Sequence, residues 1–142
     1  MQPFHQPAVQ TVFAAYPSEI RARLLNLRQL IFETAAATPG VGPLEECLKW
    51  GEPAYLTTQS HSGSTLRLGW KPSQPAHYAL HFNCRTDLVE TIGLAFPGVF
   101  HCIGSRSLVF DQDAVPPLGA LQRCVGMALT YHLRNKAQPK NQ

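Results

Sequence analysis

The 142-residue chain contains no run of eighteen apolar residues, so no segment reads as a membrane-spanning helix. Charge is sparse, at 15% of residues, and twelve Lys and Arg against nine Asp and Glu leave a formal charge of +3. The basic residues are scattered, without the stripe or reading motif of a nucleic-acid binder. Only Arg134, Lys136 and Lys140 lie close together, and they read as a helix end with favourable dipole contacts followed by a frayed tail. None of the four cysteines, Cys47, Cys84, Cys102 and Cys124, sits in a CxxC pair, which excludes a zinc knuckle or a thioredoxin-like couple. Met1 to Tyr16 lack the basic start and apolar stretch of a secretory signal, so a cytoplasmic location with free thiols is expected. A phosphate-cradling glycine loop and a nucleophile elbow are both missing, and no cofactor is expected.

What is present is enough for a core. Hydrophobic residues make up 44% of the chain and aromatics 9%, spread along its length, which argues against disorder. The length suits one domain over residues 1–142, burying roughly two-thirds of the unfolded surface.

Residues 1–8, rich in Pro and Gln, read as an irregular lead-in. Tyr16-Pro17-Ser18-Glu19 opens a helix whose stripe is Ile20, Leu24, Leu27 and Ile31, ending before Thr38-Pro39-Gly40. Pro43 to Trp50 fits a second, short helix, with Glu45 and Glu46 in its first turns, Glu45 and Lys49 spaced for an ion pair, and Gly51 behind it. Three alternating strands follow, 54–59, 65–70 and 77–82, with apolar sets Ala54/Leu56, Leu66/Leu68/Trp70 and Tyr78/Leu80/Phe82. A helix over 86–95, strands at 100–103 and 107–111, and a last helix striped by Leu118, Leu121, Val125, Leu129 and Leu133 complete the chain. Short connections between successive strands require antiparallel neighbours. The expected fold is therefore a single α+β domain, with a mainly antiparallel sheet of about five strands, helices on one face, and terminal helices flanking it.

This alternation places Tyr55, Thr57, Thr65, Arg67, His77, His81, Ser107 and Asp111 on the sheet's second face, as a polar pocket or simply a solvated face. A soft-metal site can be drawn from His81, Cys84 and Cys102, although residues three apart on a straight strand point to opposite sides. Cys84, beside Arg85 and just before the helix at 86, invites a nucleophile reading with packing as the alternative. Glu45, Glu46 and Glu52 can act as acid and base, hold a hard cation, or serve the helix dipole. His132 falls on the apolar side of the last helix, where a hydrogen-bonded core role is expected.

Glu46-Cys47-Leu48-Lys49-Trp50-Gly51-Glu52-Pro53-Ala54-Tyr55, preceded by Tyr16-Pro17, Arg21, Leu24, Leu27-Arg28 and Ile31, resembles the YdhG-like superfamily, a family with a domain of unknown function numbered 1801. His81-Phe82-Asn83-Cys84, Arg106-Ser107-Leu108 and residues 128–133 look like its later blocks, so the resemblance covers about residues 9–135. It implies a small α+β domain, mostly without assigned activity, and for one branch an iron chaperone similar to frataxin. The nine acidic residues of this net basic chain suit such a hard-cation site poorly.

Three function classes follow. The first is a binding or chaperone-like module holding a small polar ligand or protein partner in a cleft beside the Lys-Trp-Gly-Glu-Pro corner, with Lys49, Trp50, Glu52, Tyr55, Arg67 and His81 as candidate ligand-binding residues. The second is an enzyme using Cys84 or a histidine, and the third a metal carrier. Exposed strand edges leave a homodimer open.

Overall fold

Proline at the first helical turn, where its missing N–H costs nothing, opens α1 (Pro7–Ala15), and Val9 and Phe13, one turn apart, are its buried pair. The irregular lead-in expected over residues 1–8 is shorter, because the helix already starts at Pro7. Pro17 then caps α2 (Ser18–Ala37), whose stripe Ile20, Leu24, Leu27, Ile31 and Ala35 is buried as its spacing requires. The computed structural model describes residues 1–133. The basic cluster at Arg134, Lys136 and Lys140 lies outside them.

Six strands form one sheet in the order β1-β2-β3-β4-β6-β5, every neighbouring pair antiparallel. They are β1 (Glu45–Lys49), β2 (Glu52–Leu56), β3 (Leu66–Gly69), β4 (His77–His81), β5 (His101–Ile103) and β6 (Ser107–Asp111). Between them stand α3 (Leu88–Ala95) and, last, α4 (Leu118–Leu129). Leu121, Cys124, Val125, Ala128 and Leu129 of α4 are buried, and α4 packs beside α2.

The register sorts the sheet into two faces. Tyr55, Leu66, Leu68, Tyr78, Leu80, Leu108 and Phe110 point toward the helices and join the core. Ala54, Arg67, Gly69, Ala79, His81, Ser107 and Val109 take the other face. The helix expected over 43–50 is instead β1, which raises the strand count to six. Its cause is the turn that follows: Trp50 (φ +56°) and Gly51 (φ +74°) are both left-handed, and Lys49 pairs with Glu52 across them. That is the two-residue hairpin turn whose twist matches antiparallel strands. Glu45 and Lys49 are therefore strand positions rather than a helical ion pair, and the Lys-Trp-Gly-Glu corner joins strand to strand.

Arg28 ties this hairpin to α2. The side chain is fully buried, and its Nε and Nη2 donate to the Glu46 carboxylate at 2.6 and 3.0 Å. It also donates to the carbonyls of Gln2 and Pro3 and lies 3.9 Å from the Phe4 ring centroid. Tyr55 completes the network, its hydroxyl donating to Glu46 at 2.8 Å and its ring edge-on to Phe32. A buried ion pair needs this many supplementary hydrogen bonds to offset its desolvation. At the far end of the sheet, the β2–β3 loop is clasped to the end of α4. Ser62 Oγ donates to the Leu129 carbonyl at 2.7 Å, and the Ser64 N–H donates to the Ala128 carbonyl.

Candidate functional site

Of the candidate residues, Glu52, Arg67 and His81 meet on the outer sheet face, one from each of three adjacent strands. Arg67 Nη1 donates to Glu52 Oε1 at 2.6 Å, and Glu52 Oε2 stands 3.7 Å from His81 Nε2. The opposite ring nitrogen, Nδ1, is 2.8 Å from Ser107 Oγ on β6. With the proton on Nε2, facing the carboxylate, Nδ1 accepts from the Ser107 hydroxyl; with it on Nδ1, the ring donates to Ser107 Oγ. Burial, reinforced by Arg67, Lys71 and Arg106, pulls the His81 pKa down to about 4, leaving the imidazole neutral at pH 7. Burial also raises the Glu52 pKa, against the opposing pull of Arg67 and Lys71.

Gly69 permits this arrangement. A Cβ there would stand 2.3 Å from His81 Nε2 and 2.8 Å from Glu52 Oε2, so the pair closes over a position that must carry no side chain. Beside the pair, Ala79 and Val109 face each other across β4 and β6 and give the middle of the outer face a floor of small side chains. Over that floor lies an open trough of about 850 Å³. Glu52, His81 and Ser107 line one end of it, His77 and Asp111 the other, and Trp70, Lys71 and residues 73–76 contribute a wall. Trp70 is fixed there, since its indole N–H donates to the Pro75 carbonyl at 3.1 Å and its ring meets Tyr16 edge-on.

Tyr55 does not belong to this site. It is fully buried on the helix side with Glu46 and Arg28, and its expected face is corrected by one residue: Ala54 pairs with Arg67, whereas Tyr55 pairs with Leu66. A one-residue change of phase exchanges the two faces of a strand. Burial and Glu46 raise the Tyr55 pKa far above its usual range, so the phenol stays protonated. Thr57 lies beyond β2 and is buried, bonded to Gly63. Lys49 is exposed at the hairpin end opposite Glu52, and Trp50, in the turn, is 91% exposed.

The glutamates separate. Glu46 faces the core, Glu45 sits exposed opposite Leu56, and Glu52 is bound to Arg67. Among the described residues no three His, Cys, Asp or Glu side chains gather as a metal would need, so the His81, Cys84 and Cys102 set is not assembled. Cys84 is exposed, and α3 begins only at Leu88, four residues beyond it. His132 is exposed, not on an apolar side.

Trp70, Ala79 and Val109 were not singled out from sequence. Trp70 packs against Tyr16 and the core, as its place in the apolar set of its strand requires, and it also borders the trough. Gly69 did carry a signal, because glycine inside a strand pattern marks a close approach. No family model, curated protein or solved structure matches the chain.

Proposed function

We propose that the protein is a small-molecule binding module whose site is the outer-face trough. The observation that carries this reading is the trough over Ala79 and Val109, bounded by Glu52, His81 and Ser107. A concave, largely apolar surface with a few convergent polar groups is how ligand sites are built. Most sheet faces turned to water instead carry long charged side chains. Glu52 and His81 are the binding residues, Arg67 holds the Glu52 carboxylate, and Lys49 and Trp50 lie on the hairpin outside the trough's lining. Tyr55 supports it from behind by fixing β1 against α2.

Membership of the YdhG-like superfamily is part of the same proposal. It is supported by two residues of the resembling motif, Glu46 and Arg28, which form one buried pair and so have a common structural reason to occur together. A cytoplasmic binding or chaperone-like role is the extension of that reading.

A metabolite library screened by thermal shift, with native mass spectrometry of the purified protein, tests the proposal. Stabilising compounds should lose their effect in Ala79→Leu, which fills the floor. Hits that bind this variant equally well place the ligand elsewhere and overturn the reading. The 2.8 Å contact between Ser107 and His81 supports a second reading, a histidine-dependent enzyme with Ser107 as nucleophile. Covalent addition of a serine-directed fluorophosphonate at Ser107 would favour it.

A further inference from the structure

The two edges of the sheet are unlike. β1 carries exposed charges at both ends, Glu45 and Lys49, and α1 packs against it. β5 has neither protection. Its residues His101, Cys102 and Ile103 are all exposed, and it pairs with β6 alone. No Lys, Arg, Asp or Glu occurs between Glu90 and Arg106. Proteins ordinarily guard an open edge with charge, proline or a covering element. We infer that β5 is a dimer edge, pairing antiparallel with β5 of a second copy about a two-fold axis at Cys102 and joining two six-stranded sheets into one. This stands independently of the binding reading above.

Symmetry is the first reason to assign a second copy. An axis perpendicular to the sheet through Cys102 reverses the strand direction, as antiparallel pairing requires, and keeps both outer faces on one side. It sets His101 opposite the partner's Ile103 and Cys102 opposite the partner's Cys102, so every residue of the strand is paired. A one-residue slip would mix the faces, because His101 and Ile103 share theirs with Val109 and Ser107, whereas Cys102 shares its own with Leu108.

Charge is the second reason. A two-fold contact turns a patch against its own image, so a charged patch repels itself. On a chain of formal charge +3, residues 91–105 can meet their own copy without that cost. Apolar surface is the third. Ile103 is 50% exposed, and Val99, two residues before the strand, is 44% exposed. These side chains supply burial beside the backbone bonds. Three paired residues still make a small contact, so the dimer is weak and forms as concentration rises. His101 and Ile103 also line the trough, so pairing lays the troughs of two copies side by side on one continuous face.

Sedimentation velocity of the full-length protein tests this. From low micromolar to several hundred micromolar, the sedimenting mass should rise from that of one chain toward that of two. Over the same range the β5 amides, quick to exchange in dilute protein, should slow. Ile103→Lys restores a guarding charge and brings two lysines into one contact. It should weaken association on the order of tenfold and leave the melting temperature of the dilute monomer unchanged. Leu118→Lys, at a similarly exposed apolar residue of α4, should leave association as it is. Bismaleimidoethane adds one thiol across each of its two alkenes and needs no oxidant. It should join two chains through Cys102, since directly paired residues stand ~5 Å apart, and should fail to do so in Cys102→Ser.

A chain that stays monomeric across the range overturns the inference. So does a dimer that survives Ile103→Lys or dissociates in Leu118→Lys, either of which puts the contact elsewhere. A dimer cross-linked through Cys47 or Cys84 and not through Cys102 overturns the pairing about Cys102. If Ile103→Lys lowers the monomer's melting temperature, Val99→Lys is read in its place, and undiminished association there overturns the inference equally.

Discussion

Gly69 sets the distance between the two ends of the site's polar pair. The atoms its Cβ would meet are the tips of Glu52 and His81, which can swing aside, so Gly69→Ala should keep the fold and displace the pair. Its melting temperature should stay within a few degrees of wild type, while the His81 pKa rises from about 4 toward 6.5 as the ring leaves its buried position. A histidine NMR titration reads this directly. The same residue governs acid stability. An imidazole that is neutral when folded but protonates near 6.5 when unfolded makes the unfolded state bind more protons between pH 6.5 and 4. Stability therefore falls as pH drops through that window. Glu52 works in the opposite direction, since its raised pKa favours proton uptake by the folded state, and it softens the loss at the acid end. Urea unfolding at pH 7 and pH 5 should show a smaller difference for His81→Gln than for wild type.

At the scale of elements, the hairpin of β1 and β2 depends on a turn of two left-handed residues. Gly51 at φ +74° is suited to that conformation, and Gly51→Ala should cost about 1 kcal/mol in denaturant unfolding, whereas Trp50→Asn, which puts a residue favoured in this turn at φ +56°, should stabilise. This hairpin is also where sequence and structure part. Pro43, Glu45, Glu46 and Gly51 are all good helix punctuation, so local preference favoured a helix. The two-residue Trp50-Gly51 turn overrides it, and in the strand it leads back to, Glu46 meets Arg28 and Tyr55. The strands at β3, β4 and β6 were legible because Leu66/Leu68, Tyr78/Leu80 and Leu108/Phe110 alternate cleanly. In β2 the phase was hidden, since Ala54 and Tyr55, on opposite faces, are both fully buried. The meeting of Arg67 and His81 on one face was legible from their alternation and polarity. The trough floor was not, because Ala79 and Val109 look like any small strand residues until their neighbours are known.

Across the whole molecule, the central strands β2, β3, β4 and β6, each hydrogen-bonded on both sides, should exchange their amides most slowly. Hydrogen exchange should find β5 among the first strands to open, because it is a three-residue edge strand with every residue exposed. Arg28 has the opposite character, being held by groups from residues 2, 3 and 46, which come together only when the helix layer, the lead-in and the first hairpin have docked. Arg28→Met would strand the Glu46 carboxylate and should remove about 3–5 kcal/mol. Arg28→Met with Glu46→Leu should recover much of that. A network that closes only when three elements have docked is expected to form late, and its loss should then appear mainly as faster unfolding, with little change in the refolding limb of the chevron. Arg28 would thereby set how long a folded molecule lasts rather than how quickly one is made.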